Sequence, residues 1–384
     1  LIVRAVRKII LFILNKTFIT SLLIWYFKSI LGPKNEPGEI TVAGFLSSTA
    51  GFSKSAKITF HALKNKFKVS LYDFEKGYLE GKGKPGGTII FYCNPHQLLP
   101  FLIRFPKKNL RGAKIIIQPF WETGTIPNYW IKPLEVVDEI WVCNEFVRSA
   151  FEKSNSANKI KIVPTPLEVF FKTHKTKTTG DKFKVLAILD FKSNFERKNP
   201  IGIIKAFKQA FGDSQNAILT LKVSSMDFFP EGKRKLEDAV NDSKNIIILQ
   251  KRLSDEDLYE MMASQDTIIS LHRSEGFGLV MAEAMLMGKP VIATGYSGNM
   301  EFMNNDVARL VDYKLIKIKD PQKIYASDSV WAEPDYKQAA KYLQLLQSDK
   351  GLRDSVGKKA QKHAKKVFSV KHFLECVKES LNYY

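Results

Sequence analysis

The chain has 384 residues, of which 45% are hydrophobic and 26% charged, a composition that suits folded globular domains and excludes a disordered chain. A single ordinary core would not use this length, so two domains are expected. The formal net charge of +20, from 59 Lys and Arg against 39 Asp and Glu, creates a field that draws anions, whether nucleic acid, acidic lipid or phosphorylated small molecules.

Basic residues dominate the start of the chain. Arg4, Arg7, Lys8, Lys16 and Lys28 occur within residues 1–31 with no acid among them. Between them lie IILFIL (9–14) and FITSLLIWYF (18–27), neither of which reaches the roughly 18 apolar residues of a membrane span. No small-residue cleavage site follows, so a signal peptide is not expected. Residues 1–38 read either as a basic amphipathic segment lying on an anionic bilayer or as a core-packing first helix with a basic outer edge. Three cysteines, Cys93, Cys143 and Cys376, are odd in number and far apart. They supply neither a metal spacing nor a disulfide framework, and a cytoplasmic location is expected, with the inner membrane face as the place of peripheral attachment.

From residue 39 the pattern becomes regular. EITVAGFL (39–46) reads as a strand, SSTAGFSKSAK (47–57) as a loop and ITFHALKN (58–65) as a helix. VSLYDF (69–74), GGTIIFYCN (86–94), AKIIIQPFW (113–121), DEIWVCN (138–144) and KIVPTPLE (161–168) continue as strands with helical stretches between them. Apolar strand runs alternating with helices predict a parallel sheet covered on both faces. The polar stretch KTHKTKTTGDK (172–182) then reads as a linker. A second series follows, with strands at 183–191, 217–224, 245–251, 267–274 and 289–295 and helices at 200–211, 233–240, 255–265 and 279–287. The expected organisation is a first α/β domain over 39–175, a second over 182–366 and a last helix over 367–384.

The stretch SEGFGLVMAEAMLMGKPV (274–291) carries chemistry. A strand ends just before it and a helix begins near Leu279, the place where open α/β sheets bind ligands. The free amides and positive dipole of a helix start favour an anion such as a phosphate. Gly276 and Gly278 lack side chains and would let a ligand approach the backbone. Glu283 could accept hydrogen bonds from a ribose diol, and Glu275 from a second ring. The plainer alternative is a favourable helix acid and two turn glycines.

EGFGLVMAE followed by AMLMGKPVIA resembles the E-x7-E signature of retaining glycosyltransferases of the GT-B fold, in the group 1 (GT4) family. DFKSNFERKNPIGIIKAF (190–207) resembles the donor-phosphate segment of that family. WETGTIPNYW (121–130), DEIWVCNEFVRSAF (138–151), YSGNMEFM (296–303) and VWAEPD (330–335) resemble members that act in bacterial cell-surface polysaccharide and lipopolysaccharide synthesis. The resemblance covers residues 39–384. It implies two Rossmann-like parallel-sheet domains facing across a cleft, with the last helix crossing back to the first. It also implies transfer of a hexose, with mannose from GDP-mannose as the first case, from a nucleoside diphosphate sugar to a saccharide or lipid-linked acceptor.

Roles follow from the resemblance residue by residue. Glu283 is placed on the donor ribose and Glu275 on the transferred sugar. The backbone of Gly276, Phe277, Gly278, Leu279 and Val280 meets the sugar and distal phosphate. Lys198 matches the phosphate-neutralising lysine. The usual arginine five or six residues earlier is replaced by Ser193 and Lys192, so either Lys192 or Arg197 supplies the second cation. Gly51 and Ser53 match a glycine-containing loop facing the phosphates, with Ser53 where a second glycine is common. His96 occupies the place of an active-site histidine, Glu122 and Trp121 line the acceptor side, and Glu301 contacts donor or acceptor. Because cations and a helix start stabilise the leaving diphosphate, no cofactor or metal is expected, and no Asp-x-Asp or histidine cluster of the kind that would bind a divalent metal is found.

Three rival readings are weaker. A Rossmann dehydrogenase needs G-x-G-x-x-G after its first strand, which is missing. The lysines at 358, 359, 362, 365 and 366 have helical spacing without interleaved aromatics, so no nucleic-acid partner is expected. A non-catalytic carbohydrate-binding or scaffold relative would have little reason to keep Lys198, Glu275 and Glu283 together.

Overall fold

The computed structural model describes residues 16–34, 38–47, 51–154, 158–170, 180–326 and 328–381, with the side chains of 16–18 and 170 left aside. Most of the expected linker and the first fifteen residues therefore lie outside the described residues. Two compact units are present. The first comprises the chain to Phe120, Thr125–Val169 and the segment from Val370; the second comprises Trp121–Gly124 and Phe170–Ser369.

The first unit is built on a seven-stranded sheet of order β3-β2-β1-β4-β5-β6-β7. Its strands are β1 (Ile40–Gly44), β2 (Val69–Asp73), β3 (Gly77–Glu80), β4 (Thr88–Phe91), β5 (Lys114–Ile117), β6 (Glu139–Val142) and β7 (Lys159–Ile162). All neighbours pair in parallel except β2 and β3. β1, β4 and β6 are buried along their whole length, which is why they read as unbroken apolar runs rather than alternating ones. The C-terminal helix Val370–Leu381 belongs here: Phe373, Val377 and Leu381 join the core that contains Ile40, Val42 and Trp141. Trp141 Nε1 donates to Ser380 Oγ at 3.0 Å, and Lys114 Nζ to the Ser380 carbonyl at 3.0 Å.

The helix Lys16–Leu31 also packs on this unit, burying Ile24, Phe27 and Leu31. Lys28 pairs with Glu135 at 2.9 Å, and Lys132 donates to Ser21 at 2.8 Å. Leu22, Trp25 and Tyr26 are left exposed.

The second unit carries a six-stranded sheet of order β10-β9-β8-β11-β12-β13, from β8 (Phe183–Asp190), β9 (Ala217–Ser224), β10 (Ile246–Leu249), β11 (Thr267–Ser270), β12 (Val291–Thr294) and β13 (Arg309–Val311). Every pairing is parallel. A separate hairpin joins β14 (Tyr313–Lys317) to β15 (Val330–Pro334). The strand order reverses between β1 and β4 in the first sheet and between β8 and β11 in the second. Segments leaving the carboxyl ends of those strands diverge to opposite faces and open a crevice there.

Both parallel-sheet α/β units are thus as expected, with local differences. Among them, the strand expected over 161–168 lies at Lys159–Ile162, because the chain turns away at Pro164 and Pro166. The helix expected from Ile58 begins at Gly51, because Ser53, Ser55 and Ala56 are small side chains buried in it rather than loop residues. The strand expected to reach Trp121 stops at Ile117, where Phe120 N–H turns away to Asn94 Oδ1 at 3.1 Å. The edge strand β3 and the β14–β15 hairpin carry exposed side chains and lack the apolar run used to find the others.

Candidate functional site

The crevice of the second unit is lined by two segments, 191–198 after β8 and 271–278 after β11. Asn199, in the left-handed region at φ 53°, starts the helix Pro200–Phe211 by accepting from Gly202 N–H at 3.1 Å. Its Nδ2 donates to the Leu271 carbonyl at 2.8 Å. Arg273 N–H in turn donates to the Arg197 carbonyl at 2.7 Å. The two segments are therefore stitched backbone to backbone, and their side chains converge.

Four charged side chains meet there. Lys198 Nζ lies 2.5 Å from Glu275 Oε1, and Arg197 Nη1 lies 3.1 Å from Glu275 Oε2. Arg197 also donates to the carbonyls of Ser274 at 2.7 Å and Ser193 at 2.8 Å, while its buried Nε finds no acceptor. Glu122 brings the fourth charge, with Oε1 at 3.8 Å from Arg197 Nη2 and Oε2 accepting from Tyr325 O–H at 3.2 Å. Burial alone would raise the Glu275 carboxyl, but Arg197 and then Lys198 outweigh it and hold the group far below the usual carboxylate range. Glu122 shifts the other way, raised chiefly by burial and further by Glu275, against the opposing pull of Arg197.

Main-chain contacts fix Glu275. Its N–H donates to Ser297 Oγ at 2.8 Å, and Gly298 N–H donates to its carbonyl at 2.9 Å. Ser297 adopts φ 78° to do this, a conformation that costs a non-glycine residue roughly 1–3 kcal/mol and is kept only where its surroundings enforce it. The loop bearing Ser297 is anchored by His272, whose Nε2 faces Asn299 Oδ1 at 3.0 Å and the Tyr296 carbonyl at 3.3 Å. Its Nδ1 lies 3.0 Å from Ser270 Oγ and 3.2 Å from the Ser270 carbonyl; burial disfavours protonation of the ring.

Both glycines of the motif have structural reasons to be glycine. A Cβ on Gly276 would lie 2.9 Å from the Trp121 carbonyl, so it is the Trp121–Gly124 segment that uses this close approach. Gly278 has φ 95° and caps the helix Leu279–Leu286, where a Cβ would meet Met281 at 2.5 Å. The Phe277 side chain packs into the core against Phe302 and Phe368. Leu279 and Val280 stand in the first helical turn, where amides have no partner within the helix.

The remaining candidates fall elsewhere. Glu283 is buried in that helix, its Oε1 accepting from Tyr259 O–H at 3.1 Å. Lys192 is exposed, with Nζ 6.0 Å from the Phe228 ring centroid, and stays out of the cluster. Glu301 is exposed at the end of the turn Gly298–Glu301. Trp121 is buried with its ring 5.5 Å from that of Tyr325. In the first unit, Gly51 opens its helix, and Ser53 Oγ is buried and donates to the Leu46 carbonyl at 2.9 Å. His96 stands in the first turn of the helix Pro95–Arg104 after β4, its ring stacked 5.6 Å from Trp130 and its protonation disfavoured by burial. Among the described residues, no group of three or more His, Cys, Asp or Glu side chains is placed to hold a metal ion.

Tyr325, Ser274, Ser297, His272 and Tyr259 were not among the expected site residues. Ser274 and His272 had the signal of nearness in the chain to Glu275, and Ser297 lies in the segment YSGNMEFM that carries the resemblance, whereas Tyr325 and Tyr259 had neither.

Residues 181–363 match the family model described as glycosyl transferases group 1. No curated protein matches the chain. Among solved structures, HepE of Anabaena with UDP and glucose is similar at TM-score 0.65 and 14% identity, over 90% of this chain and all of that one. TarM of S. aureus, in a complex containing UDP, is similar at TM-score 0.57 and 16% identity, over 78% of this chain and 56% of that one. The pneumococcal O-GlcNAc transferase GtfA with UDP and GlcNAc is similar at TM-score 0.56 and 15% identity, over 78% of this chain. This chain spans a little over half the length of TarM and GtfA, at 56% and 57%.

Proposed function

Residues 181–363 are a domain of the glycosyl transferases group 1 family in a chain of GT-B fold, and from that premise we propose that the protein transfers a hexose from a nucleoside diphosphate sugar with retention of configuration and without a metal. The observation that carries this reading is the pairing of Lys198 and Arg197 with Glu275 at the carboxyl ends of β8 and β11, next to the start of the helix Leu279–Leu286. Lys198, with its side chain 20% exposed, faces the diphosphate together with the amides of the first helical turn. Buried Arg197 holds Glu275 charged, and Glu275 receives hydroxyls of the sugar. Glu283, oriented by Tyr259, takes the ribose diol.

In the reaction the bond from the anomeric carbon to the phosphate oxygen breaks. A bond to the acceptor oxygen forms on the same face, and the acceptor proton passes to the departing phosphate oxygen. The fixed cations and amides stabilise the charge that develops on the diphosphate without having to reorganise. The acceptor is a saccharide or lipid-linked glycan of the cell surface. UDP in the structures of HepE, TarM and GtfA sets UDP-glucose and UDP-GlcNAc beside GDP-mannose as donors to test. Nucleotide release from such a panel should occur with at least one donor and should vanish in a Glu275→Ala/Lys198→Ala variant; release at the wild-type rate in that variant would refute the site.

The helix Lys16–Leu31 supports a second part of this reading, contact with an anionic membrane surface. Trp25 is 68% exposed and shares a face with Leu22 and Tyr26. Exposed Arg104, Lys108 and Arg111 come from segments that pack beside this helix. No helix among the described residues is long and apolar enough to cross a membrane, so the contact would lie in the interface. Sedimentation with phosphatidylglycerol vesicles should be strong and fall at least about tenfold in Leu22→Glu/Trp25→Glu; equal sedimentation of both proteins would reject the surface.

A further inference from the structure

Glu122 is chemically the odd member of the charge cluster. It comes from the segment Trp121–Gly124, which precedes the rest of the second unit by some fifty residues yet belongs to that unit. Five contacts hold it there. The Trp121 backbone lies over Gly276, and the Trp121 ring packs on Tyr325. Ser274 Oγ donates to the Glu122 carbonyl, Tyr325 O–H donates to Oε2, and Arg197 stands across from Oε1. Such anchoring fixes the carboxyl in place, and it does so without filling its hydrogen-bonding capacity. Oε1 has its nearest cation at 3.8 Å, beyond hydrogen-bond reach.

The second observation is the sum of charges. Arg197 and Lys198 are opposed by Glu275 and Glu122, so the cluster is neutral when both carboxylates are ionised. A neutral cluster is a poor receptor for a diphosphate. Glu275 cannot relieve this, because it is clamped by two cations at 2.5 and 3.1 Å. Glu122 can: its side chain is 23% exposed against 9% for Glu275, and among the described residues its carboxylate has Tyr325 alone as a hydrogen-bond donor.

We propose that Glu122 stores a proton for the transfer site: its carboxylate takes one proton from solvent when the diphosphate of a sugar nucleotide binds beside Arg197 and Lys198, and returns it when the nucleoside diphosphate leaves. The proposal rests on the donor reading above. Protonation removes one negative charge and leaves the cluster with a net charge of about +1, the sign that an arriving and then departing diphosphate requires. The groups facing Glu122 set the range in which this occurs. Burial and Glu275 favour the proton, whereas Arg197, the Tyr325 hydroxyl and Lys198 oppose it. The free protein therefore holds Glu122 above the ordinary carboxylate range, and a bound diphosphate moves it higher. Affinity for the donor consequently rises as pH falls through the interval between the two values, by at most about tenfold per pH unit for one proton.

Calorimetric titration of the protein with UDP-glucose and, in parallel, GDP-mannose tests this, because their diphosphates carry no proton of their own to exchange near neutral pH. Titrations across pH 6–8 in buffers of different ionisation enthalpy give the number of protons taken up. Wild type should take up a fraction of a proton, approaching one at its maximum. Glu122→Gln, which keeps the shape, should still bind but with uptake near zero and affinity that no longer varies with pH. Tyr325→Phe removes the donor that favours the charged carboxylate, so its uptake maximum should move to higher pH. Binding by wild type with no uptake, or with uptake unchanged in Glu122→Gln, would overturn the proposal and leave the donor reading intact. Failure of both sugar nucleotides to bind would overturn the two together.

Discussion

Replacing Lys198 with alanine should lower the rate of sugar transfer by roughly 10²–10³-fold, the usual cost of removing one fixed charge-stabilising group from a transition state. Stability should hardly change. Lys198 is partly exposed, and Glu275 keeps Arg197 at 3.1 Å when the lysine is gone. The loss should appear in kcat as well as in kcat/KM, because diphosphate charge is largest when the glycosidic bond breaks. Steady-state kinetics with the best donor, alongside a thermal melt, separates this result from simple unfolding. A variant that melts normally and transfers at the wild-type rate would remove Lys198 from the site.

Arg197→Met should act in the opposite manner and destabilise the fold by about 3–5 kcal/mol, as expected when one partner of a buried ion pair is removed. The Arg197 side chain is only 3% exposed and bridges Glu275, Ser274 and Ser193. Its loss leaves Glu275, at 9% exposure, with Lys198 as its remaining close cation. Glu275→Gln added to Arg197→Met should recover part of the loss, since no charged carboxylate is then left behind. Urea denaturation of the two single variants and the double variant gives the coupling directly. Additive effects would show that the pair does not act as a unit.

The contrast between these neighbours shows what the sequence could convey. Lys198 and Glu275 follow strands that announce themselves as apolar runs, and a strand followed by a charged loop and a helix start was readable at both places. Whether Arg197 or Lys192 stands beside Glu275 was not readable. Both lie near a helix start, and only the turn at Asn194, where Oδ1 accepts from Arg197 N–H at 2.9 Å, turns Arg197 inward. Glu122 lies 153 positions before Glu275, and no periodicity links such distant segments. Tyr325 is hidden for another reason: it follows β14, a strand of exposed side chains that lacks an apolar pattern. The glycines were expected to admit a ligand, whereas the group that approaches Gly276 is the Trp121 backbone, and Gly278 serves a left-handed turn at φ 95°. Small buried side chains caused the error at Gly51–Ala56, because serines packed inside a helix read like the serines of a loop.

One measurement bears on all of this: the structure of the protein with a bound nucleoside diphosphate, UDP or GDP. The diphosphate should lie within hydrogen-bond distance of Lys198 Nζ and the backbone amides at 278–280, with the ribose hydroxyls on Glu283. A nucleotide bound away from Lys198 and from the start of the helix Leu279–Leu286 would contradict the site and the function assigned to it.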